Sequence, residues 1–425
     1  MPNSDQTISR PKVAYMMSRF PKITETFVLY EMIAVEKAGV DIEIYPLMRE
    51  HTTVMHPEAP PLVARAHFLP FISLDIVRSN LQFMLRKPRA YWGTLLTALR
   101  ATWGSRRYFV GILAFFPKTV HMARLMADDG ITHIHAHFAS HPTAAAYIIH
   151  HLTGIPYSFT AHGSDLHREK RMLCEKLNAA RFAVTISQYN YETMITTCGA
   201  HMVDRLMIIH CGVDTNAFAP EPTTNEASAA THSAASDDTS LNIACIGTLH
   251  EVKGQSYLIE ACQRLHERGI PFECHLIGDG EDRAMLETKV AQANMTDQVT
   301  FHGYLTHDGV TRLVKQADVV VTPSVPSNDG RREGIPVATM EAMACGVPVV
   351  ASRLSGIPEL VDDGETGILV EPRDVTGIAD ALQQLAQDEP RRQRLGYAGR
   401  AKIMREFSLS ANAETLARLF AGESS

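Results

Sequence analysis

The second half of the chain alternates short apolar runs with amphipathic segments, and this alternation restricts the possible folds more than any other feature. The apolar runs are "NIACIG", "ECHLIG", "VTFHGY", "DVVVTPS", "VPVVAS" and "GILVEP". The segments between them, such as "GQSYLIEACQRLHERG", show helical periodicity. Near-continuous Val/Ile runs separated by amphipathic helices are typical of a parallel sheet covered on both faces. We therefore predict a doubly wound α/β domain.

The first half repeats this pattern less regularly, with predicted strands at "KVAYMMS", "DIEIYPL", "HIHAHF", "YSFTAH", "FAVTIS" and "LMIIHCG". A chain of 425 residues is also too long for one ordinary core. The Ala/Ser/Thr-rich segment 219–240 is typical of a flexible linker rather than of a surface loop. We predict two Rossmann-like domains, 1–218 and 241–407, and a C-terminal helix at 408–425. Because ligands of such sheets bind beyond the carboxyl ends of the strands, the domains are expected to face a central cleft.

The composition excludes several classes of protein. The net charge of −7 gives no basic field of the kind that nucleic-acid binding requires. The seven cysteines are scattered without a C-x-x-C pair, which favours free thiols in a reducing compartment over a disulfide framework or a zinc site. The first residues contain no apolar signal sequence, and no uninterrupted stretch reaches the ~18 apolar residues of a membrane span. These features predict a cytoplasmic protein.

The stretch "REGIPVATMEAMACG" places two glutamates around the start of a helix. Pro336 suits the first helical position, and the free N–H groups of the first turn would stabilise an anion such as a diphosphate. Glu333 precedes this turn, and Glu341 leans back toward it because helical side chains point toward the N-terminus. We interpret the two carboxylates as acceptors for hydroxyl groups of a sugar and of a ribose. A capping acid and a solvated glutamate are the simpler alternative.

This stretch resembles the signature E-G-x-P-x-x-x-x-E-A-M-A-x-G-x-P-V-V of the retaining GT-B glycosyltransferases of family four. The stretches "TAHGSD", "HCGVDTNAF", "IGTLHEVKG" and "LIGDGEDR" follow in the family's order, so the resemblance covers nearly the whole chain. "SRFPKITETFVLYE" and "HIHAHFA" are similar to the subgroup that builds exopolysaccharide, as in colanic-acid-type synthesis. The resemblance implies a GT-B fold, transfer of a sugar from a nucleotide-diphosphate donor with retention, and no metal or other cofactor.

The resemblance also implies roles for single residues. Glu333 would accept hydrogen bonds from the donor sugar, Glu341 would hold the ribose, and Lys253 would contact the diphosphate. His162 of the A-H-G motif would face the reacting side of the sugar, whereas a strand-end histidine without that motif is more often structural. The other expected donor-binding positions are Gly334, Ile335, Pro336, Val337, Thr248, Gly278 and Arg332. The expected acceptor positions are Glu25, Thr26, His137 and Asp165, of which Asp165 is equally suited to cap a helix.

The chain departs from the family pattern where the diphosphate would bind. Family members carry V-G-R-L-x-x-x-K-G, and "IGTLHEVKG" keeps Lys253 but has Thr248 in place of the arginine. Arginine binds phosphate in a bidentate manner that threonine cannot reproduce. Three explanations stay open. Arg331, Arg332 or His250 supplies the charge; Lys253 and the helix dipole suffice at a reduced rate; or the enzyme is impaired or repurposed.

Two further features each have a structural and a functional interpretation. His133, His135 and His137 alternate and therefore share one strand face, where they pack or line the cleft; a metal site would need a carboxylate that the sequence does not place. Segment 78–124 has nine basic residues, no acidic residue and several aromatic ones. Such helices are typical of a surface that lies on anionic lipid, and two ordinary helices with solvated basic faces are the alternative.

The expected function is sugar transfer to a glycan acceptor, expected to be lipid-linked, by a peripheral protein on the inner face of the plasma membrane. Its expected partners are the nucleotide sugar, the acceptor and anionic lipid, and not nucleic acid. The alternative is a non-catalytic relative that binds a nucleotide sugar or scaffolds an assembly complex, which Thr248 would suit. An NAD dehydrogenase is disfavoured, because "GDGEDR" has Arg283 where the dinucleotide fingerprint needs glycine or alanine.

Overall fold

The computed structural model describes residues 10–22, 24–51, 55–167, 169–220, 240–328 and 330–423, and the chain divides into two compact units. Unit 1 comprises Met1–His210 and Leu409–Ser425, and unit 2 comprises Cys211–Ser408. The division falls after His210 and not after residue 218, and the C-terminal segment is part of unit 1. Residues 221–239, which make up most of the proposed linker, lie outside the described residues.

Unit 1 is built on a six-stranded sheet in the order β2-β1-β3-β4-β5-β6, in which every described pair is parallel. Its strands are β1 (Lys12–Phe20), β2 (Asp41–Arg49), β3 (His133–His137), β4 (Tyr157–Ala161), β5 (Phe182–Thr185) and β6 (Leu206–Ile208). Its helices are α1 (Thr26–Lys37), α2 (Ala59–Arg65), α3 (Leu74–Arg86), α4 (Pro88–Thr102), α5 (Arg106–Asp128), α6 (His141–Thr153), α7 (Ser164–His167), α8 (Leu173–Ala179), α9 (Gln188–Cys198) and the 3-10 helix Ala200–Arg205.

Unit 2 repeats the architecture with a second six-stranded parallel sheet, in the order β12-β11-β10-β7-β8-β9. Its strands are β7 (Leu241–Ile246), β8 (Phe272–Ile277), β9 (Val299–Gly303), β10 (Val319–Thr322), β11 (Val349–Ser352) and β12 (Ile368–Val370). Its helices are the 3-10 helix Glu251–Lys253, α10 (Gln255–Glu267), α11 (Arg283–Gln292), α12 (His307–Gln316), α13 (Val337–Ala344), α14 (Ile357–Leu360), α15 (Val375–Gln387) and α16 (Glu389–Glu406). The prediction of two doubly wound parallel sheets is confirmed.

The last helix, α17 (Leu409–Ala421), completes unit 1 rather than unit 2. The ring of Phe420 lies 5.2 Å from the rings of both His133 and His135. The side-chain amide of Asn412 donates a hydrogen bond of 2.7 Å to the carbonyl of His210. The amphipathic period of this segment predicted a helix, and only its three-dimensional contacts show which sheet it covers.

Both sheets contain a point at which the strand order reverses, and doubly wound folds bind ligands at such points. In unit 1 the reversal lies between β1 and β3, and in unit 2 it lies between β7 and β10. The loops that follow these strands are 21–25 and 138–140 in unit 1, and 247–254 and 323–336 in unit 2. Most of the expected site residues lie in or beside these loops.

The structure contradicts the prediction that all the cysteines are free thiols. Cys174 in α8 and Cys198 at the end of α9 form a disulfide, with their Cα atoms 5.2 Å apart. They are 24 positions apart in the sequence, and it is the packing of two helices that brings them together, so no local spacing motif reveals the pair. The other five cysteines, Cys211, Cys245, Cys262, Cys274 and Cys345, are free thiols.

The basic segment 78–124 forms most of the helices α3, α4 and α5. Of the described helices, α5 alone is long and apolar enough to cross a membrane by length and composition, but half of the relevant window is buried in unit 1. Lys118 donates hydrogen bonds of 2.6 and 2.8 Å to the carbonyls of Leu47 and Leu69. Burial lowers the pKa of Lys118 to about 8. This is the pattern of a core helix, so Lys118 does not belong to the basic surface.

Candidate functional site

Lys253 and Glu333 meet at the switch point of unit 2. Lys253 ends the 3-10 helix in the loop after β7, and Glu333 lies in the loop after β10. The Nζ atom of Lys253 is 2.6 Å from Oε2 of Glu333, and the two side chains keep 25% and 16% of their surface exposed. The structure thus joins the two residues expected at the phosphate and the sugar in one accessible ion pair.

Two glycines allow the loops around this pair to pack backbone against backbone. Gly278, which follows β8, has φ of +136°, and a Cβ atom there would lie 2.1 Å from the carbonyl oxygen of Gly247. Gly254 has φ of +71°, and a Cβ atom there would lie 1.9 Å from the carbonyl oxygen of Pro323. Only glycine fits at these two positions. Gly278 therefore shapes the loop that carries Thr248.

Helix α13 begins at Val337, one residue later than the sequence suggested, so Pro336 is the cap residue and not the first helical residue. Within the described residues, no backbone acceptor takes the N–H groups of Gly334, Ile335 or Val337. Together with the positive end of the helix dipole, these groups favour a bound anion.

Glu341 lies one turn further along α13, among the buried side chains of Met340, Ala342 and Met343. Its carboxyl group makes no hydrogen bond or ion pair within the part of the chain that the structure describes. Glu341 itself is half-buried, and desolvation of its carboxyl group raises the pKa of Glu341 to about 8. A carboxyl group in this position is stabilised in its ionised form by any ligand that donates hydrogen bonds to it.

The guanidinium of Arg331 contacts the loop that carries Thr248. Its Nη1 atom is 3.1 Å from Nε2 of His250, two residues after Thr248. The loop is held there by Asn328, whose side-chain and backbone N–H groups donate hydrogen bonds of 2.7 and 3.1 Å to the carboxylate of Glu251. Arg332, the other candidate from the sequence, has an exposed side chain.

The switch point of unit 1 opens into a pocket of about 240 Å³. Its lining comes from the loops after β1, β3 and β4 and from the start of α5: Ser18, Arg19, Lys22, Glu25, Arg107, Tyr108, Phe138, Ser140, Asp165 and Glu169. Two expected acceptor residues, Glu25 and Asp165, are thus brought together. Thr26, a third one, is the first residue of α1 and does not line the pocket. Arg107 also lines the pocket, although in the sequence it is visible only as one member of a basic run.

His162 follows β4 and is held between two aromatic rings. The centroids of Phe27 and Phe138 each lie 4.7 Å from that of His162. Phe138 has φ of +71°, a left-handed conformation that is uncommon for a residue with a side chain and that concentrates at functional sites. Burial, followed by the proximity of His137, holds the pKa of His162 well below its usual range. His162 is therefore neutral at physiological pH.

Neither His137 nor His162 lines the pocket, and the ring of His137 stacks against that of His162. The His137 side chain is completely buried, and its Nδ1 atom is 3.0 Å from Nε2 of His162. Its Nε2 atom lies 3.2 Å from the carboxylate of Glu31 on α1, which also accepts a hydrogen bond of 3.1 Å from the hydroxyl of Tyr15. No sequence motif connected Glu31 with these histidines.

Asp165 positions the loops beside the pocket rather than only capping a helix. Its carboxylate accepts hydrogen bonds from the backbone N–H groups of Ala139 (2.5 Å), His162 (3.1 Å) and Gly163 (2.8 Å). It thus joins the loop after β3 to the loop after β4. Burial raises the pKa of Asp165, although these hydrogen bonds oppose the increase.

Glu31, His135 and His137 form a group of three potential metal ligands, with their ligand atoms within 4.8 Å of one another. Each His135 nitrogen has a hydroxyl partner, since Nδ1 is 2.8 Å from Ser158 Oγ and Nε2 is 3.1 Å from Thr160 Oγ1. The geometry is that of a hydrogen-bonded histidine layer on one strand face, which is one of the alternatives that the sequence left open.

Most of the large apolar side chains that are exposed in the described residues belong to α3–α5 and the loops beside them. They are Phe71, Ile72, Leu74, Val77, Leu81, Leu85, Trp92, Leu96, Trp103, Val110 and Leu113. Val77, Leu81 and Leu85 recur at every fourth residue and form one stripe on α3. We call this set the apolar face. It is interspersed with the exposed basic residues Arg78, Arg86, Lys87, Arg89, Arg100, Arg106 and Arg107.

Comparison with known proteins connects both units with glycosyltransferases. Residues 25–217 match the model of Glycosyltransferase Family 4, and residues 230–402 match that of Glycosyl transferases group 1. The amylovoran biosynthesis glycosyltransferase AmsK of Erwinia amylovora is 40% identical over 168 residues, which are 40% of this chain and 41% of that protein. WcaL of Escherichia coli K12, named a putative colanic acid biosynthesis glycosyltransferase, is 37% identical over 184 residues, 43% of each chain. The matches span about two fifths of the length of these relatives.

Solved structures show the same fold over 97% of the chain. Anabaena HepE in complex with UDP and glucose superposes with a TM-score of 0.71 at 17% identity, covering 97% of this chain and 100% of that one. Sucrose-phosphate synthase from Thermosynechococcus elongatus gives a TM-score of 0.68 at 19% identity, covering 97% and 99%. These likenesses confirm the GT-B fold, and the two family models together span most of the chain. The chain therefore belongs to the family-four, group 1 glycosyltransferases that its sequence resembles.

Proposed function

We propose that this protein transfers a sugar from a nucleotide-diphosphate donor to a hydroxyl group of a lipid-linked glycan, with retention at the anomeric carbon, in the synthesis of an exopolysaccharide. The observation that carries the proposal is the Lys253–Glu333 ion pair beside the free N–H groups at the start of α13. The complexes of HepE with UDP, glucose and UDP-glucose support a nucleotide-sugar donor. AmsK and WcaL support a role in polysaccharide synthesis.

In this proposal each group at the switch point of unit 2 has one task. The ammonium group of Lys253 and the N–H groups of Gly334–Val337 bind the diphosphate. The carboxylate of Glu333 accepts hydrogen bonds from the sugar hydroxyls, and that of Glu341 accepts them from the ribose. Binding of the donor therefore replaces the contact between Lys253 and Glu333. The charge of Lys253 is then stabilised by phosphate instead of by Glu333.

The proposed reaction breaks the bond between the anomeric carbon and the diphosphate oxygen and forms a bond from that carbon to the acceptor oxygen on the same face. The proton of the acceptor hydroxyl passes to the departing phosphate. No described residue needs to act as a nucleophile, and the transfer step uses no metal ion, because cationic and N–H groups stabilise the leaving group. In this proposal His162, whose ring stacks against that of His137, is the catalytic histidine of unit 1.

We further propose that Arg331 supplies the charge that Thr248 cannot. Its guanidinium lies within 3.1 Å of His250 on the loop that also carries Lys253, and the Asn328–Glu251 hydrogen bonds hold the arginine loop in place. This selects one of the three explanations that the sequence left open. The non-catalytic alternative depends on Thr248 alone, and it is not needed if Arg331 provides the missing charge.

The apolar face with its basic residues is the proposed membrane contact. Large apolar side chains in contact with water cost free energy, which insertion at the lipid boundary recovers. Each basic residue near an anionic surface adds about 1 kcal/mol. The cytoplasmic leaflet is the anionic one, so we place the protein on that face of the membrane.

The test of the proposed function is transfer by the purified protein. We expect a panel of nucleotide sugars to reveal one donor that raises the melting temperature and is consumed when a glycan acceptor is present. Glu333→Ala should lower kcat/KM by about 10²–10³-fold, whereas Glu365→Gln, at an exposed glutamate of the same unit, should not change it. Equal transfer by Glu333→Ala and the parent protein would contradict the proposal, and binding of a donor without any turnover would favour the non-catalytic alternative.

A further inference from the structure

The pocket at the switch point of unit 1 contains more charged groups than a binding site for uncharged sugar hydroxyls requires. Three cationic side chains, Arg19, Lys22 and Arg107, and three acidic ones line it. A charged group that is already paired within the protein contributes little to the binding of a ligand. The partners of each charged group in the pocket therefore indicate which groups can bind one. In this pocket the acidic groups are paired more completely than the cationic groups.

Each acidic group in the pocket already has donors. Glu25 Oε1 is 2.5 Å from Lys22 Nζ, and Glu169 accepts hydrogen bonds of 3.0 and 3.1 Å from the hydroxyl of Ser105. Asp165 has the three backbone N–H donors described above. The acidic lining is therefore largely satisfied by the protein.

The cationic groups are less completely paired. Arg19 lies 3.1 Å from Glu50, which is outside the pocket lining. Arg107 makes no ion pair and no side-chain hydrogen bond within the residues that the structure describes. Arg107 also lies in the first turn of α5, a helix of 23 residues, so the positive end of the helix dipole adds to its charge. Its guanidinium lies 6.0 Å from the ring centroid of Tyr108. The pocket thus has a cationic group without a carboxylate partner beside a helix start, which suits an anion.

The pocket lies next to the apolar face in the chain. Trp103, 72% exposed and part of the apolar face, is only four residues from Arg107, with Gly104 between α4 and the Ser105 cap of α5. Arg171 donates a hydrogen bond of 3.1 Å to the carbonyl of Trp103 and keeps this connection ordered. A ligand with its apolar chain at the lipid boundary and a phosphate next to it would place the phosphate at Arg107.

We propose that this pocket binds the phosphate, single or double, that joins the acceptor glycan to its lipid, and that Arg107 is its principal contact. The inference rests on the proposed function, since it names the chemical class of the acceptor. It makes Arg107 a specificity-determining residue, because the pocket then distinguishes a phosphate-linked glycan from a neutral glycoside. An anionic lipid headgroup has the same phosphate chemistry, and the experiment separates the two sources.

The test compares two soluble acceptors with the same sugar, a short-chain prenyl diphosphate and a neutral alkyl glycoside, in the absence of vesicles. For the parent protein we expect a higher kcat/KM with the diphosphate acceptor. Arg107→Gln should reduce this preference by about 10- to 100-fold, the value of a charge-assisted hydrogen bond. Arg106→Gln, a matched change at the neighbouring exposed arginine that does not line the pocket, should retain the parent preference.

Calorimetric binding of the same two acceptors without donor decides the question independently of turnover. The inference is supported if the parent and Arg106→Gln prefer the diphosphate acceptor and Arg107→Gln does not. It is overturned if the parent shows no preference, if both variants lose it equally, or if Arg107→Gln affects only binding to anionic vesicles, which would assign the anion to a lipid headgroup. Binding of the diphosphate acceptor through Arg107 without any sugar transfer would refute the proposed function but not the assignment of the pocket to a phosphate group.

Discussion

The ammonium nitrogen of Lys253 and the carboxylate of Glu333 lie 2.6 Å apart, although the proposal assigns them to different parts of the donor. The ion pair orders both side chains before the donor binds, and the donor must then separate them. Such partly exposed ion pairs contribute about 0.2–1 kcal/mol, so their separation costs little compared with the free energy of binding the phosphate and the sugar.

Replacement of one partner should therefore impair catalysis far more than stability. We expect Lys253→Met to lower kcat by about 10²–10³-fold, because the leaving diphosphate loses its cation. Steady-state kinetics and thermal unfolding measure the two effects. Lys315→Met, which removes a lysine at the end of α12, serves as the control. A loss of melting temperature large enough to account for the lost activity would contradict a catalytic role for Lys253.

Glu341 should lower the stability of the folded protein and increase its affinity for the donor. Folding raises the pKa of its carboxyl from 4.5 to about 8, so the folded state keeps a proton that the unfolded state has released between these pH values. The stability of the parent protein must therefore fall, through this group, as the pH rises from 4.5 to 8. Glu341→Gln removes that dependence. We expect its melting temperature to exceed that of the parent at about pH 8 and to equal it near pH 4.5.

The same variant should bind the donor about 10- to 100-fold more weakly, since it lacks the charged acceptor for the ribose hydroxyls. In the parent protein, donor affinity measured by calorimetry should increase from about pH 7 to about pH 9 as Glu341 ionises. An increase of equal size in Glu341→Gln would show that another group is responsible.

Local sequence patterns predicted the strands well because burial on both faces of a parallel sheet leaves its signal in consecutive residues. All twelve described strands fall on apolar runs that are visible in the sequence. The glutamates around α13 were also visible, because the start of a helix and its flanking residues are neighbours in the chain. The order of strands in each sheet, which creates the two switch points, leaves no such local signal.

Partners that come from distant elements could not be predicted. Glu31 faces His137 across more than a hundred residues of sequence, Cys174 pairs with Cys198 through helix packing, and α17 returns to the first sheet. Periodicity reports how much of a segment is buried but not what covers it. For the same reason Arg107 could be recognised as basic but not as part of a pocket.

Arg331 can be tested by loss and rescue. Arg331→Gln should lower kcat by about 10²–10³-fold if its guanidinium binds the diphosphate, whereas Arg332→Gln should have a smaller effect. Adding Thr248→Arg to Arg331→Gln restores the arginine of the family pattern at its usual position and should recover a large part of the lost rate. Steady-state kinetics with the identified donor measures the parent and all three variants. Full activity of Arg331→Gln alone would instead favour Lys253 and the helix dipole as sufficient.

Membrane contact can be followed without a label, because Trp92 and Trp103 are the only tryptophans in the chain and both belong to the apolar face. With side chains 47% and 72% exposed, they should emit at long wavelength in buffer. Vesicles that contain anionic lipid should shift this emission to shorter wavelength, because the indole rings leave water. High salt should weaken the effect by screening the basic residues.

A charge within the α3 stripe separates insertion from simple electrostatic attraction. Leu81→Asp should weaken vesicle binding and reduce the spectral shift, since an aspartate at the lipid boundary opposes burial of its neighbours Val77 and Leu85. Val203→Asp, at an exposed apolar position away from these helices, should bind as the parent does. If zwitterionic and anionic vesicles shift the emission equally, the basic residues have no part in the contact. If neither shifts it, the apolar face is not a membrane surface, and another partner must cover it.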